Sequence, residues 1–422
     1  MQLRQIVQKK NAVWLLLGLL LVQISSLLML GLTWPSQSSA VTFSLLVPQD
    51  ELSYWQSLTE SFDRQNADIQ IKLAEGAYSP SQIQTIYSAD LQSDRPQYDL
   101  IYMNLVWLPE FASHGWLSDL TPQIDSEALS EFLGSEVEMG RYQKRLYRLP
   151  FRASIGVMLV NQLLAGSSVP ATFAALFDIS RALQQQGQWG YLWQGQEDES
   201  LIANFVEVLD GYGGFWIDPA TQSVGLDQPE AIQAVQFLRE TLVQGISPPT
   251  VIGDDAQDSF IQFQRGNTAF LRTWSQFWQR ANAASAPLHN QVRLATTLAL
   301  PGRVRRACRG AGICNCQKTS HLEAAWQAVE FLTSAAAQRQ FSLASGYLPS
   351  RKALFEDAEL LAAYPHFTQL LEELQTRSVF RPRFLTTVRL LKFCKLTSGG
   401  FWWGPLRQRT PWSKQLNKRD RC

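Results

Sequence analysis

Asn104 and Trp107 could together hold a ligand, one through a hydrogen bond and the other through the flat face of an indole. Both stand at the end of one short run, residues 98–119, which reads YDLIYMNLVWLPEFASHGWLSD. Tyr98 to Met103 has the character of a buried strand, and Asn104-Leu105-Val106-Trp107 forms a polar-aromatic edge. A short helix is expected from Leu108 to a break at Gly115. A polar group and an indole at the carboxyl end of a buried strand are what a ligand cleft in an open α/β sheet needs. The alternative is that Trp107 packs under the helix as a core residue. Bond-breaking chemistry is not indicated. His114, His289, His321 and His366 are scattered rather than clustered as metal ligands, and there is neither a Gly-rich phosphate loop nor a nucleophile elbow. Neither a cofactor nor a metal is expected.

The elements that position this edge alternate along the chain. Residues 41–47 (VTFSLLV) read as a first strand, and Leu52–Gln65 has helical spacing at Leu52, Trp55, Leu58 and Phe62. Ile69–Leu73 follows as a second strand and Ile83–Leu91 as a second helix, before the 98–119 unit. That β-α-β-α-β order predicts a doubly wound α/β sheet. A chain of 422 residues with 45% hydrophobic residues suggests two or three domains with ample cores. Its 14 Trp, 11 Tyr and 22 Phe are consistent with large cores and also with carbohydrate sites, where sugar C–H faces stack on rings.

The amino terminus reads as a targeting segment. Arg4, Lys9 and Lys10 precede a stretch from Asn11 to Gln49 without a charged residue, most of it apolar over Ala12–Leu32. Ser38-Ser39-Ala40 offers a small-x-small cleavage site. Residues 1–40 are therefore either a cleaved signal peptide or an anchor held in the inner membrane by residues 11–34. Both alternatives place residues 41 onward outside the cytoplasm, in the periplasmic or extracytoplasmic space.

The 98–119 run resembles the "DVIYMDVVW…EFA..GWL.DL" segment of the sugar-binding proteins of bacterial ABC importers, the family-1 extracellular solute-binding proteins. The resemblance continues along most of residues 41–383. LPFRASIGVMLVN at 149–161 resembles the family's "LPWFTDAGLLYYR", and residues 190–214 resemble its "QGxxYEGL…FlE" helix. FIQFQRGNTAFLRTWSQFW at 260–278 resembles "F..GkaAM...W", and residues 323–355 carry the family's helix pair and "G.lP.r" turn. The resemblance implies a two-lobed periplasmic-binding-protein fold with a hinge and an interlobe ligand cleft. Lobe 1 is expected over 41–150, with part of 290–320 returning to it, lobe 2 over 151–290, and a C-terminal helical part over 321–384.

By resemblance, the ligand-binding residues are Glu51, Asn104, Trp107, Ser154, Trp193, Glu199, Trp274 and Arg383, or Arg381 in place of Arg383. Glu51 matches a position that hydrogen-bonds sugar hydroxyls, and Trp274 is the expected stacking platform. Asn104 and Ser154 stand where the family usually has Asp, and Asp198 and Ser200 replace the Tyr and Gly that usually flank Glu199. Each lost carboxylate removes an acceptor contributing on the order of 1.5–3 kcal/mol, against roughly 1 for a neutral contact. Specificity or affinity should therefore differ from the family norm. The resemblance further implies a sugar ligand, ABC transporter permease subunits as partners, a monomer, no nucleic acid, and membrane contact only through an uncleaved N-terminal segment. Two alternatives remain. One is a decayed, non-binding member of the fold. The other is an extracellular carbohydrate-active enzyme, which would need two carboxylates flanking the scissile bond.

Two segments do not match their surroundings. All five cysteines lie in them: Cys308, Cys314 and Cys316 in 303–317, Cys394 and Cys422 in 385–422. A disulfide or metal site is one reading, although Cys314-Asn315-Cys316 has the wrong spacing for a zinc ribbon. Codon regrouping supplies another. Shifting the frame lets Gly310-Ala311-Gly312-Ile313-Cys314 encode Gly-Gly-Trp-Asn-Leu, the family's "GGWNL" motif at this place. The same shift yields family-like closing helices from 385–397 and 411–417. The two segments hold 13 of the 37 basic residues and only Asp420 among the 37 acidic ones, leaving 24 basic and 36 acidic residues elsewhere. Frame-displaced translation is therefore expected over 303–317 and 385–422. The first should be an irregular exposed loop, the second should pack poorly, and the basic tail implies no nucleic-acid partner.

Overall fold

A computed structural model describes residues 40–77, 79–218, 221, 223–301, 306–376 and 378–379. Residues 42–422 form one compact unit; of the other, 1–41, only Ala40 and Val41 are described. The N-terminal segment, Arg381, Arg383, Cys394, Cys422 and the 385–422 segment thus lie outside the described residues. Among the described residues, no helix is long and apolar enough to cross a membrane.

The chain starts with β1 (Val41–Val47), α1 (Leu52–Gln65), β2 (Ile69–Glu75), α2 (Pro80–Leu91) and β3 (Leu100–Asn104). Helix α1 buries Trp55, Leu58 and Phe62, the stripe that the sequence spacing predicts. Helix α2 begins three residues before the expected Ile83, because Pro80 suits a first turn whose N–H has no intrahelical partner. A 3₁₀ turn over Leu105–Trp107 then leads into α3 (Leu108–Ser113), and Gly115 stops it at φ +69°.

Strand β4 (Leu149–Asn161) is buried along its whole length. It is followed by α4 (Phe173–Gln184), β5 (Trp189–Leu192), α5 (Glu199–Gly211) and α6 (Pro229–Val243). Then come α7 (Ala256–Gln264), β6 (Thr268–Trp274), β7 (Val292–Ala295) and β8 (Arg306–Asn315). The closing elements are α8 (Leu322–Leu332), α9 (Ala335–Ser345), β9 (Leu348–Pro349) and α10 (Phe367–Thr376).

The strands form a sheet in the order β2-β1-β3-β8-β4-β6-β5, with β7 and β9 also on β4. The two lobes meet within β4. Its first half, through Ile155, pairs with β8, while its second half, Gly156–Asn161, pairs with β6 and β7. Each lobe has its own core. Ile83, Tyr87, Ile101, Met103, Trp107 and Phe111 lie in the first, and the second gathers around Leu159, Phe237, Phe270 and Leu271. The last helices extend the second core through Phe367, Leu370 and Leu374. A chain of this architecture is an α/β protein of the two-lobed class.

The expected irregular loop at 303–317 is not found. Its described part, from Arg306, enters the sheet as β8, antiparallel to β3 (Ala311 opposite Asn104, Asn315 opposite Leu100) and to β4 (Cys308 opposite Ile155). Ala311, Ile313, Cys314 and Cys316 are buried, and the thiols of Cys314 and Cys316 are free. A strand flanked on both sides and covered on both faces does not alternate in polarity, so the missing period was a poor guide. Its backbone polar groups are satisfied by its neighbours rather than by water.

Gly312 illustrates how closely this segment fits. It follows a register shift in the ladder, and a Cβ there would lie 2.2 Å from the Leu149 carbonyl oxygen. Gly312→Ala is therefore expected to lower stability by about 1–3 kcal/mol in chemical denaturation, the scale of an overpacked core. Gly134→Ala, where nothing lies within 4 Å of the added carbon, serves as the control. Equal stability of the two variants would show that β8 does not pack against β4 as described.

Candidate functional site

A cavity of about 300 Å³ opens between the lobes, at the small end of ligand pockets. Its first wall comes from the end of β3 and the starts of α1 and α2, and its second from the starts of α5 and α7 and the end of β6. Strand ends facing helix starts are where open α/β sheets bind ligands.

Trp107 and Trp274 both line this cavity from opposite lobes. Trp107 projects from the 3₁₀ turn and donates its indole N–H to Glu199 Oε1 of α5 at 2.6 Å, a bond spanning the two lobes. Trp274 ends β6 and is 1% exposed; the Arg272 guanidinium lies over its ring, 4.3 Å from the centroid. Asn104 lines the cavity as the last residue of β3.

Glu51 also lines the cavity, at the hub of a buried polar cluster. Its Oε1 accepts from Arg152 Nη2 at 2.8 Å and from the Tyr347 hydroxyl at 2.9 Å. Its Oε2 accepts from the Tyr102 hydroxyl at 2.9 Å and the Trp55 indole at 3.3 Å. Four donors fix the orientation of this one carboxylate. Desolvation pulls the Arg152 guanidinium down, but Glu51, Tyr102 and Tyr347 outweigh it and raise it above its ordinary value. Neighbouring Asp50 is raised mainly by burial and then by the charge of Glu51, with Arg280 at 3.9 Å partly opposing.

Other expected residues lie elsewhere. Ser154 is fully buried and donates to Gln276 Oε1 at 2.8 Å; Gln276, not Ser154, lines the cavity. Glu199 is reached through Trp107, while its neighbours Asp198 and Ser200 line the wall. Trp193 is not brought to the cavity. Its indole is sealed in the second-lobe core and donates to Thr241 Oγ1 at 3.1 Å, because the chain leaving β5 turns it away from the cleft. Asp198 and Asp255 cap the starts of α5 and α7, each accepting backbone N–H bonds, so two of the cleft's acidic groups neutralise helix ends.

Sequence reasoning missed Tyr102, Arg152, Gln276, Arg280 and Tyr347, all of which line the cavity. A signal existed for two. Tyr102 precedes Asn104 by two residues and so shares its face of β3, and Arg152 is a lone charge in an apolar strand. Tyr347 follows Gly346, whose φ of +73° turns the chain out of α9.

Comparison with known proteins agrees with this architecture. A "Probable ABC transporter-binding protein" of Deinococcus radiodurans is 24% identical over 313 residues, covering 71% of this chain and 73% of the relative. A "Maltotriose-binding protein" of Pyrococcus abyssi is 24% identical over 324 residues, 74% of this chain and 66% of that protein, just under two thirds of its length. Among solved structures, maltose-bound T. maritima MalE3 superposes with a TM-score of 0.77 at 26% identity, covering 86% of this chain and 94% of that one. The model of the bacterial extracellular solute-binding protein family matches residues 48–339, more than half of the chain. With its two lobes, its interlobe cavity and that match, this chain belongs to the bacterial extracellular solute-binding proteins.

Proposed function

We propose that this chain captures a neutral oligosaccharide or glycoside between its lobes and delivers it to the permease subunits of an ABC importer. The observation carrying this reading is the convergence of two indoles, Trp107 and Trp274, from opposite lobes on one cavity beside a hydrogen-bonding hub. Rings stack on sugar faces and polar groups sort hydroxyls. Similarity to proteins named for maltose and maltotriose supports an α-linked glucose oligomer as the first candidate. Asn104 and Trp107 would contact the sugar from one lobe, Trp274 and Gln276 from the other, and Glu51, Ser154 and Glu199 would position their partners. Rotation about β4 would open and close the cleft, with the permease recognising the closed form of a monomer outside the inner membrane.

The glycosidase alternative loses its support at the site. Glu51 is saturated by four donors, Asp50 is paired with Arg280, and Asp198 and Asp255 cap helices, so these groups do not form a free acid and base across a bond. Calorimetric titration of the purified full chain with a panel of neutral di- and oligosaccharides, maltose and maltotriose first, tests the proposal. Saturable binding without hydrolysis is expected. A chain that is folded yet inert toward the whole panel would end the sugar-capture reading.

A further inference from the structure

We propose that Arg152 is a specificity-determining ligand donor, its Nη1 giving a hydrogen bond to a sugar oxygen in the cleft. The inference rests on the sugar-capture reading and adds a residue to it.

Arg152 lies on β4 just before the two lobes meet, lines the cavity, and is only 3% exposed. Its other nitrogens are held in place. Nε donates to the Tyr102 hydroxyl and Nη2 to Glu51, while the guanidinium plane lies 3.7 Å from the centroid of the Tyr347 ring. Among the described residues, Nη1 alone of these nitrogens has no hydrogen-bond partner. Leaving a buried charged donor unmatched costs free energy comparable to the bond it lacks, and the cavity that Arg152 lines is where an acceptor can arrive. The rigid fork is already oriented, so little rotamer entropy remains to be lost when it does.

The acceptor is a neutral oxygen. Glu51 already balances the charge of Arg152, and Arg280 faces Asp50. Among the described lining residues, Asp198 and Asp255 add negative charge without further cations, so a carboxylated or phosphorylated sugar would meet net repulsion. A hydroxyl or ring oxygen would not.

Arg152→Lys tests this, because an ammonium can keep the ion pair with Glu51 but has no second nitrogen to offer. The full chain and the variant are titrated with the sugar that the full chain binds and with its monodeoxy analogues. The variant should remain folded, with a lowered melting temperature from the lost Tyr102 and Tyr347 contacts, and bind about 10-fold more weakly. One monodeoxy analogue should lose a similar factor against the native chain and nothing further against the variant. A folded variant with native affinity, or equal losses for every analogue in both proteins, overturns the assignment while sugar capture stands. Should Arg152→Lys not fold, a crystal structure of the native chain with bound sugar decides, by whether Nη1 lies within hydrogen-bond distance of a sugar oxygen. A native chain that binds no sugar removes both readings together.

Discussion

Trp274→Ala is expected to weaken sugar binding by about 1–3 kcal/mol, roughly 5- to 150-fold in Kd, the scale of a lost aromatic anchor at a buried contact. One face of the indole is backed by Arg272, and in the proposed complex the cleft side meets a sugar ring. The same residue belongs to the second-lobe core, so truncation to alanine also opens a cavity and lowers stability. Trp274→Leu helps to separate the effects by keeping more apolar volume than alanine while removing the flat ring. Calorimetry on the leucine variant should show a smaller loss of stability than in the alanine variant and the full affinity loss. Unchanged affinity there would remove Trp274 as a stacking platform, leaving it a core indole.

The second large effect is on stability. Arg272 and Glu207 form a buried bidentate pair between β6 and α5, with Arg272 Nε donating to Glu207 Oε2 at 2.8 Å and Nη2 to Oε1. Arg272 Nη1 donates to Gln194 Oε1 at 3.0 Å, and both charged side chains are almost wholly excluded from solvent. Gly156 leaves space for this pair, since a Cβ there would sit 1.8 Å from Glu207 Oε1. Arg272→Met should lower stability by about 3–5 kcal/mol, because it strands an uncompensated carboxylate in the core. Adding Glu207→Leu should recover most of that loss by removing the stranded charge. A single variant within 1 kcal/mol of native in denaturant titration would show that the pair contributes little. Through the cation–π contact, the single variant should also loosen Trp274 and lower sugar affinity.

The two variants separate the roles of neighbouring residues on β6. Trp274 ends the strand at the cavity, while Arg272, two residues earlier on the same face, secures it from behind. Binding and folding thus meet on one strand, and the affinity of each variant is to be compared on folded protein only.

Local pattern was enough for much of the architecture. The thirteen-residue run at 149–161, apolar but for Arg152, Ser154 and Asn161, is the strand β4, and such near-continuous apolarity is what a strand buried on both faces shows. The passage from β3 through the 3₁₀ turn to α3 and Gly115 follows the order of residue types along 98–119. Trp107 was legible as a cavity residue because it follows directly on the carboxyl end of β3, and Trp274 through the family resemblance of the 260–278 run. What local pattern does not contain is pairing between distant segments. Residues 306–315 have no period of their own and become a strand because β3 and β4 offer backbone partners on both sides. Trp193 and Trp274 are the same residue type near the ends of adjacent parallel strands, yet one is directed into the core and the other to the cavity. Glu51, Tyr102, Arg152 and Tyr347 are separated by up to 296 residues and become one cluster only when the sheet closes. Hydrophobic periodicity is a property of a few neighbouring residues, so the sequence determined the elements. Desolvated charges need partners in space, so the tertiary structure decided which side chains complete the site.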